Sequence, residues 1–215
     1  IREPKRINKE FYQIQDEYLQ EETKEKGIVD CDELVPLQDH LYLFQGDITT
    51  LKCDAIVNAA NSQMTGCYIP HHRCIDNCIH SYAGMQLRYA CHQIMEKQGK
   101  KEETGKAKIT KGYNLPCRYI LHTVGPIIYY KVTNKEKEQL ASCYRSCLEL
   151  ADAYHLESVA FCCISTGEFH FPKELAAKIA IETVKEYLKK EANIKKVIFN
   201  VFKDEDRDIY QRYLR

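Results

Sequence analysis

Nothing in this chain approaches the roughly 20 consecutive apolar residues that a bilayer-spanning helix needs. Its longest apolar stretches, such as Val159-Ala160-Phe161-Cys162-Cys163-Ile164, are far shorter, so no membrane partner is expected. The charged opening Ile1-Arg2-Glu3-Pro4-Lys5-Arg6 does not lead into the core of a secretory leader. Charge of one sign is lacking as well. Lys+Arg and Asp+Glu both number 31, the formal net charge is zero, and no long block of like charge supplies the footprint of a nucleic-acid binder. Glycine (9) and proline (6) are scarce, which excludes fibrous and low-complexity classes. An even cysteine count is also missing. There are 11, and Cys143, Cys147, Cys162 and Cys163 lie inside apolar segments where a thiol acts as a small hydrophobe. Reduced cysteines and a cytoplasmic location are the expectation.

What is present is a globular composition, 44% hydrophobic and 29% charged over 215 residues, enough for one domain with a sizeable core. Phe11, Ile14, Tyr18 and Leu19 recur at helical spacing between Asn8 and Lys26, and Gly27 follows as a stop. This predicts an amphipathic helix docked on the domain. Gly27 to Asp39, with Pro36, looks like a connector, so residues 1–40 are taken as an extension and 41–215 as the domain. From Leu41 the pattern alternates. Leu41–Gln45 and Ala55–Val57 read as strands, and Ile75, Ile79, Ala83, Leu87, Cys91 and Ile94 predict one long helix. Strands follow at 107–113 and 119–124, a helix at 135–154, a strand at 158–164, a helix at 173–190, a strand at 196–202 and a helix at 204–213. Such alternation predicts an α/β fold with a mixed or parallel sheet between helical layers. In such sheets, ligands bind beyond the carboxyl ends of the strands.

Three loops that follow strands carry chemistry. Ser165-Thr166-Gly167 lies between a strand and a helix opened by Pro172, so successive backbone N–H groups there can face an anion. A plain strand-to-helix turn is the alternative. Asp47, beside Gly46, offers a carboxylate to the exocyclic amine of a nucleobase, or serves as an ordinary N-cap. Asn58 and Asn61 bracket Ala59-Ala60 and present two amides to a cleft, or satisfy loop backbone.

The most specific local pattern is Gly66-Cys67-Tyr68-Ile69-Pro70-His71-His72-Arg73-Cys74-Ile75-Asp76-Asn77. His72 and Cys74 are two apart, so an extended segment puts both on one face, and Pro70 breaks a helix while the loop folds Cys67 back. Three such ligands leave a fourth position open, as in catalytic rather than structural zinc sites. Free thiols and surface histidines are the alternative, with His71 and Cys78 as further candidate ligands. Asp76 falls in a helix first turn, where capping alone would favour a carboxylate. Beside a metal loop it can instead orient a hydroxyl or activate water.

GDITTLKCDAIVNAANS, IHSYAG, HTVGP at His122–Pro126 and STGEFHFP, in that order, resemble the macrodomain family from about Leu41 to the C-terminus. GCYIPHHRCIDN looks like the family's zinc-containing branch, which in some bacteria accompanies a sirtuin-type ADP-ribosyltransferase and a lipoyl-carrier protein related to the glycine-cleavage H protein. The resemblance implies a three-layer α/β/α fold with a mixed central sheet, binding ADP-ribose. It implies that Asp47 and Ile48 contact the adenine, that Ser165, Thr166, Gly167, Glu168 and Phe169 wrap the diphosphate, and that Asn58 and Asn61 approach the distal ribose. Asp76 takes the place of an acidic residue implicated in hydrolysis, and Cys67, His72 and Cys74 match zinc ligands. The activity implied is removal of mono-ADP-ribose from an Asp/Glu-linked protein. A reader without catalysis, an O-acetyl-ADP-ribose deacetylase and a zinc-stabilised interaction module are the rivals. Glu168 departs from a family hydrophobic residue and His170 from a family glycine. Glu168 is expected to contribute only its backbone N–H, with the side chain turned to solvent.

Overall fold

The computed structural model describes residues 3–190 and 192–215; Ile1 and Arg2 of the extension lie outside the described residues. In chain order the elements are α1 (Lys9–Lys26), β1 (Val29–Asp30), β2 (Pro36–Gln38), β3 (Leu41–Gln45), β4 (Leu51–Lys52), β5 (Ala55–Ala60), α2 (Ile75–Ala83), α3 (Met85–Gln98), β6 (Ala107–Lys111), β7 (Tyr119–Val124), α4 (Asn134–Ala153), β8 (Ser158–Phe161), α5 (Lys173–Leu188), β9 (Lys196–Val201) and α6 (Asp204–Tyr213). Short 3-10 turns cover Cys31–Glu33 and Ile48–Thr50.

Seven strands form one mixed sheet in the order β2-β3-β9-β8-β5-β7-β6. Its interior pairs are parallel, and the edge pairs β2/β3 and β6/β7 are antiparallel. The path from β5 to β7 moves one way across the sheet, while those from β7 to β8 and from β8 to β9 move the other. Right-handed crossovers therefore put α2 and α3 on one face and α4 and α5 on the other. Covered on both sides, the parallel strands carry unbroken apolar runs: Ile56, Val57, Ile120, Leu121, Val159, Phe161, Val197 and Phe199 are all at most 1% exposed. The α4 helix starts in a capping box between Thr133 and Glu136 and buries Leu140, Tyr144, Cys147, Leu148 and Ala151 along one stripe. Ala176, Ala177 and Ala180 of α5 are buried too and let α5 pack closely on α4. Among the described residues no helix is long and apolar enough to cross a membrane.

The structure departs from the periodicity reading in several places. The expected helix through Ile75 and Ile94 is two helices, because Gly84 at φ 97° takes a conformation outside any helix. The expected connector holds two strands. Val29 pairs with Leu51, and β2 starts at Pro36 on the sheet edge, where proline's missing N–H removes no ladder bond. The strand expected to end at Val57 runs on to Ala60, since Asn58, Ala59 and Ala60 pair with His122, Thr123 and Val124. The strand expected to reach Ile164 stops at Phe161.

The first helix docks, but most of its apolar stripe stays outside, with only Leu19 half-buried. Phe11, Ile14 and Tyr18 are 41%, 69% and 62% exposed. Contact comes instead from polar side chains that satisfy the break at Gly84. Gln15 accepts from the Met85 amide (2.9 Å), and Asp16 Oδ1 accepts from Gln86 (2.7 Å) and Asn114 (2.7 Å). Replacing Asp16 by Ala removes the acceptor shared by Gln15, Gln86 and Asn114, and we expect it to lower the unfolding free energy by about 1–3 kcal/mol in urea denaturation. Unchanged stability would mean that α1 is not anchored through this carboxylate.

Candidate active site

The five parallel strands point one way, so the loops after β3, β5, β7, β8 and β9 gather at the carboxyl end of the sheet. The chain leaves β5 toward β7 and leaves β8 toward β9, and β5 and β8 are neighbours. A crevice opens at such a reversal of winding. It is a cleft of about 440 Å³ whose walls include Asn61, Cys67, His72, Cys74, Asp76 and Ser165 to Phe169.

Pro70 and His71 are the central residues of a short turn in which His71 takes φ 57° and the His72 amide bonds the Ile69 carbonyl. The chain then runs extended into Cys74, the N-cap of α2, whose sulfur accepts from the Asn77 amide (3.4 Å). This path brings ligand atoms of Cys67, His72 and Cys74 within 4.8 Å of one another, with Cys67 Sγ 3.3 Å from His72 Nδ1. The exposed His71 and the half-buried Cys78 are not in this group. Burial works against a Cys67 thiolate, but the Ile69 amide, His72 and Cys74 hold its pKa below the ordinary value. Burial pushes the Cys74 thiol up to about 11. Two sulfurs and one imidazole nitrogen so close together form a donor set suited to zinc.

Asp76, in the first turn of α2, is 4% exposed yet borders the cleft. Its Oδ1 accepts from Asn58 Nδ2 (2.8 Å) and its Oδ2 from Asn61 Nδ2 (3.2 Å). Burial raises its pKa to about 6, against the pull of Asn58 and Arg88. Asn61 also donates to the Gly66 carbonyl (3.1 Å), tying the β5 loop to the metal-type loop. Asn58 is fully buried and absent from the cleft wall, so it stands behind Asp76 rather than toward a ligand. Its β5 position faces it inward.

The Ser165–Phe171 loop turns sharply. Ser165 and His170 both take positive φ (65° and 56°), a conformation glycine adopts more readily, and His170 is exposed. The Thr166 amide bonds the Cys163 carbonyl just before the loop, and those of His170 and Phe171 bond inside it. Those of Gly167, Glu168 and Phe169 make no hydrogen bond among the described residues and are free for an anion. Ser165 Oγ is buried without a partner. The Gly125 backbone lies against it: a Cβ there would sit 2.0 Å from Ser165 Oγ. The Glu168 side chain is 67% exposed, and its Oε1 lies 3.3 Å from His72 Nε2. It is neither aimed at the free amides nor fully detached in solvent.

Asp47 and Ile48 lie outside the cleft wall. Asp47 N-caps the Ile48–Thr50 turn, its Oδ1 accepting from the Thr49 amide (2.9 Å) and hydroxyl (2.6 Å), and its Oδ2 lies 3.5 Å from Lys26 Nζ. Ile48 is 1% exposed. Sequence reasoning missed Asn200, Phe202, Lys203 and Asp206, which complete the wall. Their position, Asn200 at the carboxyl end of the last parallel strand and the others just after it, was the available signal. Phe202 is 75% exposed, and Asn200 Nδ2 donates to the Gly46 carbonyl (3.0 Å).

A sequence profile of the family described as Macro domain matches residues 57–180. A Treponema medium protein named protein-ADP-ribose hydrolase is 51% identical over 218 residues, spanning 100% of this chain and 84% of the relative. A protein of the same name from Staphylococcus aureus (strain MSSA476) is 50% identical, over 95% of this chain and 77% of the relative. Among solved structures, the Trypanosoma brucei macrodomain in complex with ADP-ribose matches at TM-score 0.80 and 29% identity, over 98% of this chain and 92% of that one. The Oceanobacillus iheyensis macrodomain with ADP matches at TM-score 0.74 and 37% identity, over 84% and 93%.

Gly125→Ala forces the buried Ser165 hydroxyl aside. We expect it to cost about 1–3 kcal/mol in thermal or urea unfolding and to speed proteolysis of the Ser165–Phe171 loop. A variant as stable and protease-resistant as the parent would refute the close approach.

Proposed function

The chain belongs to the macrodomain family, and from that premise we propose that it removes mono-ADP-ribose from Asp- or Glu-linked protein, with zinc held by Cys67, His72 and Cys74. The observation that carries this reading is the convergence of those three ligand atoms at one wall of a cleft that also holds Asp76 and a loop of free amides. The names of the Treponema and Staphylococcus relatives support the activity, and the ADP-ribose complex of the Trypanosoma macrodomain supports the ligand.

In this reading the free amides of Gly167, Glu168 and Phe169 bind the diphosphate, and Ser165 Oγ gains the partner it lacks. Asp47, Ile48 and the exposed Phe202 ring serve the adenine end. Asn61 holds the Asp76 carboxylate at the distal ribose end. There Asp76 accepts a proton from the attacking water, whose oxygen forms the new bond as the bond to the leaving group breaks. A carboxylate raised toward neutrality is a more effective base than an ordinary surface one. Bound zinc would supply Lewis-acid polarisation and lower the pKa of a ligated water toward about 7. His72 suits the metal because its Nδ1 faces Cys67 while Glu168 engages Nε2, so the ring is oriented from behind. We assign the modified target to a lipoyl-carrier protein related to the glycine-cleavage H protein, and the location to the cytoplasm. We also treat residues 1–40 as an extension, one whose β2 strand adds an edge to the sheet of the domain spanning 41–215.

The test is ADP-ribose release from an Asp/Glu-ADP-ribosylated protein by enzyme of known zinc content, after chelation and after zinc restoration. Loss and recovery of turnover are expected, with ADP-ribose binding largely retained throughout. Activity that persists without zinc would return catalysis to Asp76 and Asn61 alone; binding without turnover would leave a reader. Asp76→Asn should lower kcat about 100-fold or more and change the ADP-ribose Kd less than about threefold. Cys74→Ala with full activity would remove the metal from the mechanism.

A further inference from the structure

Behind the cleft lies a buried polar chain that the hydrolytic reading leaves unexplained. Asn58 on β5 and His122 on β7 are cross-strand partners, and both are 0% exposed. Asn58 Nδ2 lies 2.8 Å from Asp76 Oδ1 and 3.2 Å from His122 Nδ1. On its far side, His122 Nε2 lies 2.9 Å from Thr110 Oγ1 and 3.8 Å from Cys91 Sγ. His80, Cys91 and His122 also bring ligand atoms within 4.8 Å of one another. Both ring nitrogens of His122 are already engaged, however, which favours a hydrogen-bond relay over a metal site there.

One nitrogen of Asn58 serves both Asp76 and His122, so the two contacts are coupled. If His122 carries its proton on Nε2, Nδ1 is a lone pair that accepts one Asn58 N–H while the other N–H goes to the carboxylate. If the proton sat on Nδ1, it would oppose the Asn58 N–H. The amide would then turn its oxygen to both neighbours and repel the Asp76 carboxylate. The Asp76 carboxylate selects the first state by requiring the Asn58 N–H, and in that state the Thr110 hydroxyl, which can donate or accept, takes the Nε2–H. Full burial pushes the His122 pKa down to about 3, which keeps the ring neutral and its tautomer meaningful. We propose that His122 is a positioning residue that, through its Nε2–H tautomer, fixes which end of the Asn58 amide faces Asp76 and so holds the carboxylate toward the cleft.

The proposal rests on Asp76 acting in hydrolysis, so its test separates the two. Wild type, Asp76→Asn, His122→Leu, His122→Asn and Thr110→Val are compared for kcat, KM, ADP-ribose Kd and thermal midpoint. His122→Leu leaves a buried N–H of Asn58 without an acceptor. It should lower kcat about tenfold or more while KM and Kd move less than about threefold. His122→Asn, which can restore an acceptor near the Nδ1 position, should lose less than His122→Leu. Thr110→Val, a milder change should the leucine variant not fold, should lower kcat several-fold. Wild-type kcat in His122→Leu and Thr110→Val, with Asp76→Asn inactive, would overturn the relay and leave the hydrolytic reading standing. A parallel rise in Kd would overturn it too, by showing general loosening of the cleft. If the wild type released no ADP-ribose, the functional reading would fail instead. The 15N spectrum of the histidine ring then decides the relay: Nδ1 unprotonated with Nε2 protonated supports it, and the reverse overturns it.

Discussion

A carboxylate buried at the first turn of α2 is the constraint on which this site depends. Removing an ion from water costs several kcal/mol unless polar partners replace the solvent, and Asp76 is 4% exposed. Its two oxygens each meet a side-chain amide from the β5 end, Asn58 and Asn61. Those amides are at the right height only because β5 runs on to Ala60 in register with β7. The metal-type loop is tied into the same arrangement, since Asn61 also bonds the Gly66 carbonyl and Cys74 caps the helix that carries Asp76. Sheet register, helix start and loop path therefore meet at one side chain.

The opposite wall is built by strain and close approach rather than by charge. Ser165 holds a left-handed conformation at the buried start of its loop, with its hydroxyl unpartnered. The absence of a side chain at Gly125 makes room for that hydroxyl, which a Cβ there would meet at 2.0 Å. Strained, under-satisfied backbone of this kind concentrates where ligands bind. Glu168 shows how tertiary placement changes the meaning of a residue. From the sequence its charge is an apparent repulsion toward a diphosphate, yet in the fold its carboxylate faces His72 Nε2. It can orient that ring without meeting the anion loop.

The first helix gives a second instance. Its apolar stripe predicts docking, and the helix does dock, but Phe11, Ile14 and Tyr18 remain outside. Gln15 and Asp16 make the contact instead, because the interruption of the helix at Gly84 leaves donors that need acceptors. A periodic pattern reports which residues share a face, not which face a neighbour will need.

Much of the architecture was legible locally. Apolar runs, turn residues and helical spacing identify most strands and helices with their order, because hydrogen bonding within a segment and burial of one face are properties of short stretches. The same locality made Cys67, His72 and Cys74 readable as a set, since they lie within eight residues and Pro70 dictates the turn. Long-range pairing was not legible. The extra residues of β5, the strands in the connector, the wall made by Asn200, Phe202 and Lys203, and the burial of Asn58 against His122 all join segments far apart in the chain. Their geometry follows from strand order and register. Sequence alone determined most of the elements, the residue types of the loops and the choice of candidate ligands. Tertiary structure decided which of those groups face the cleft and which stand behind it, because side-chain direction on a buried strand is set by partners that the local sequence does not contain.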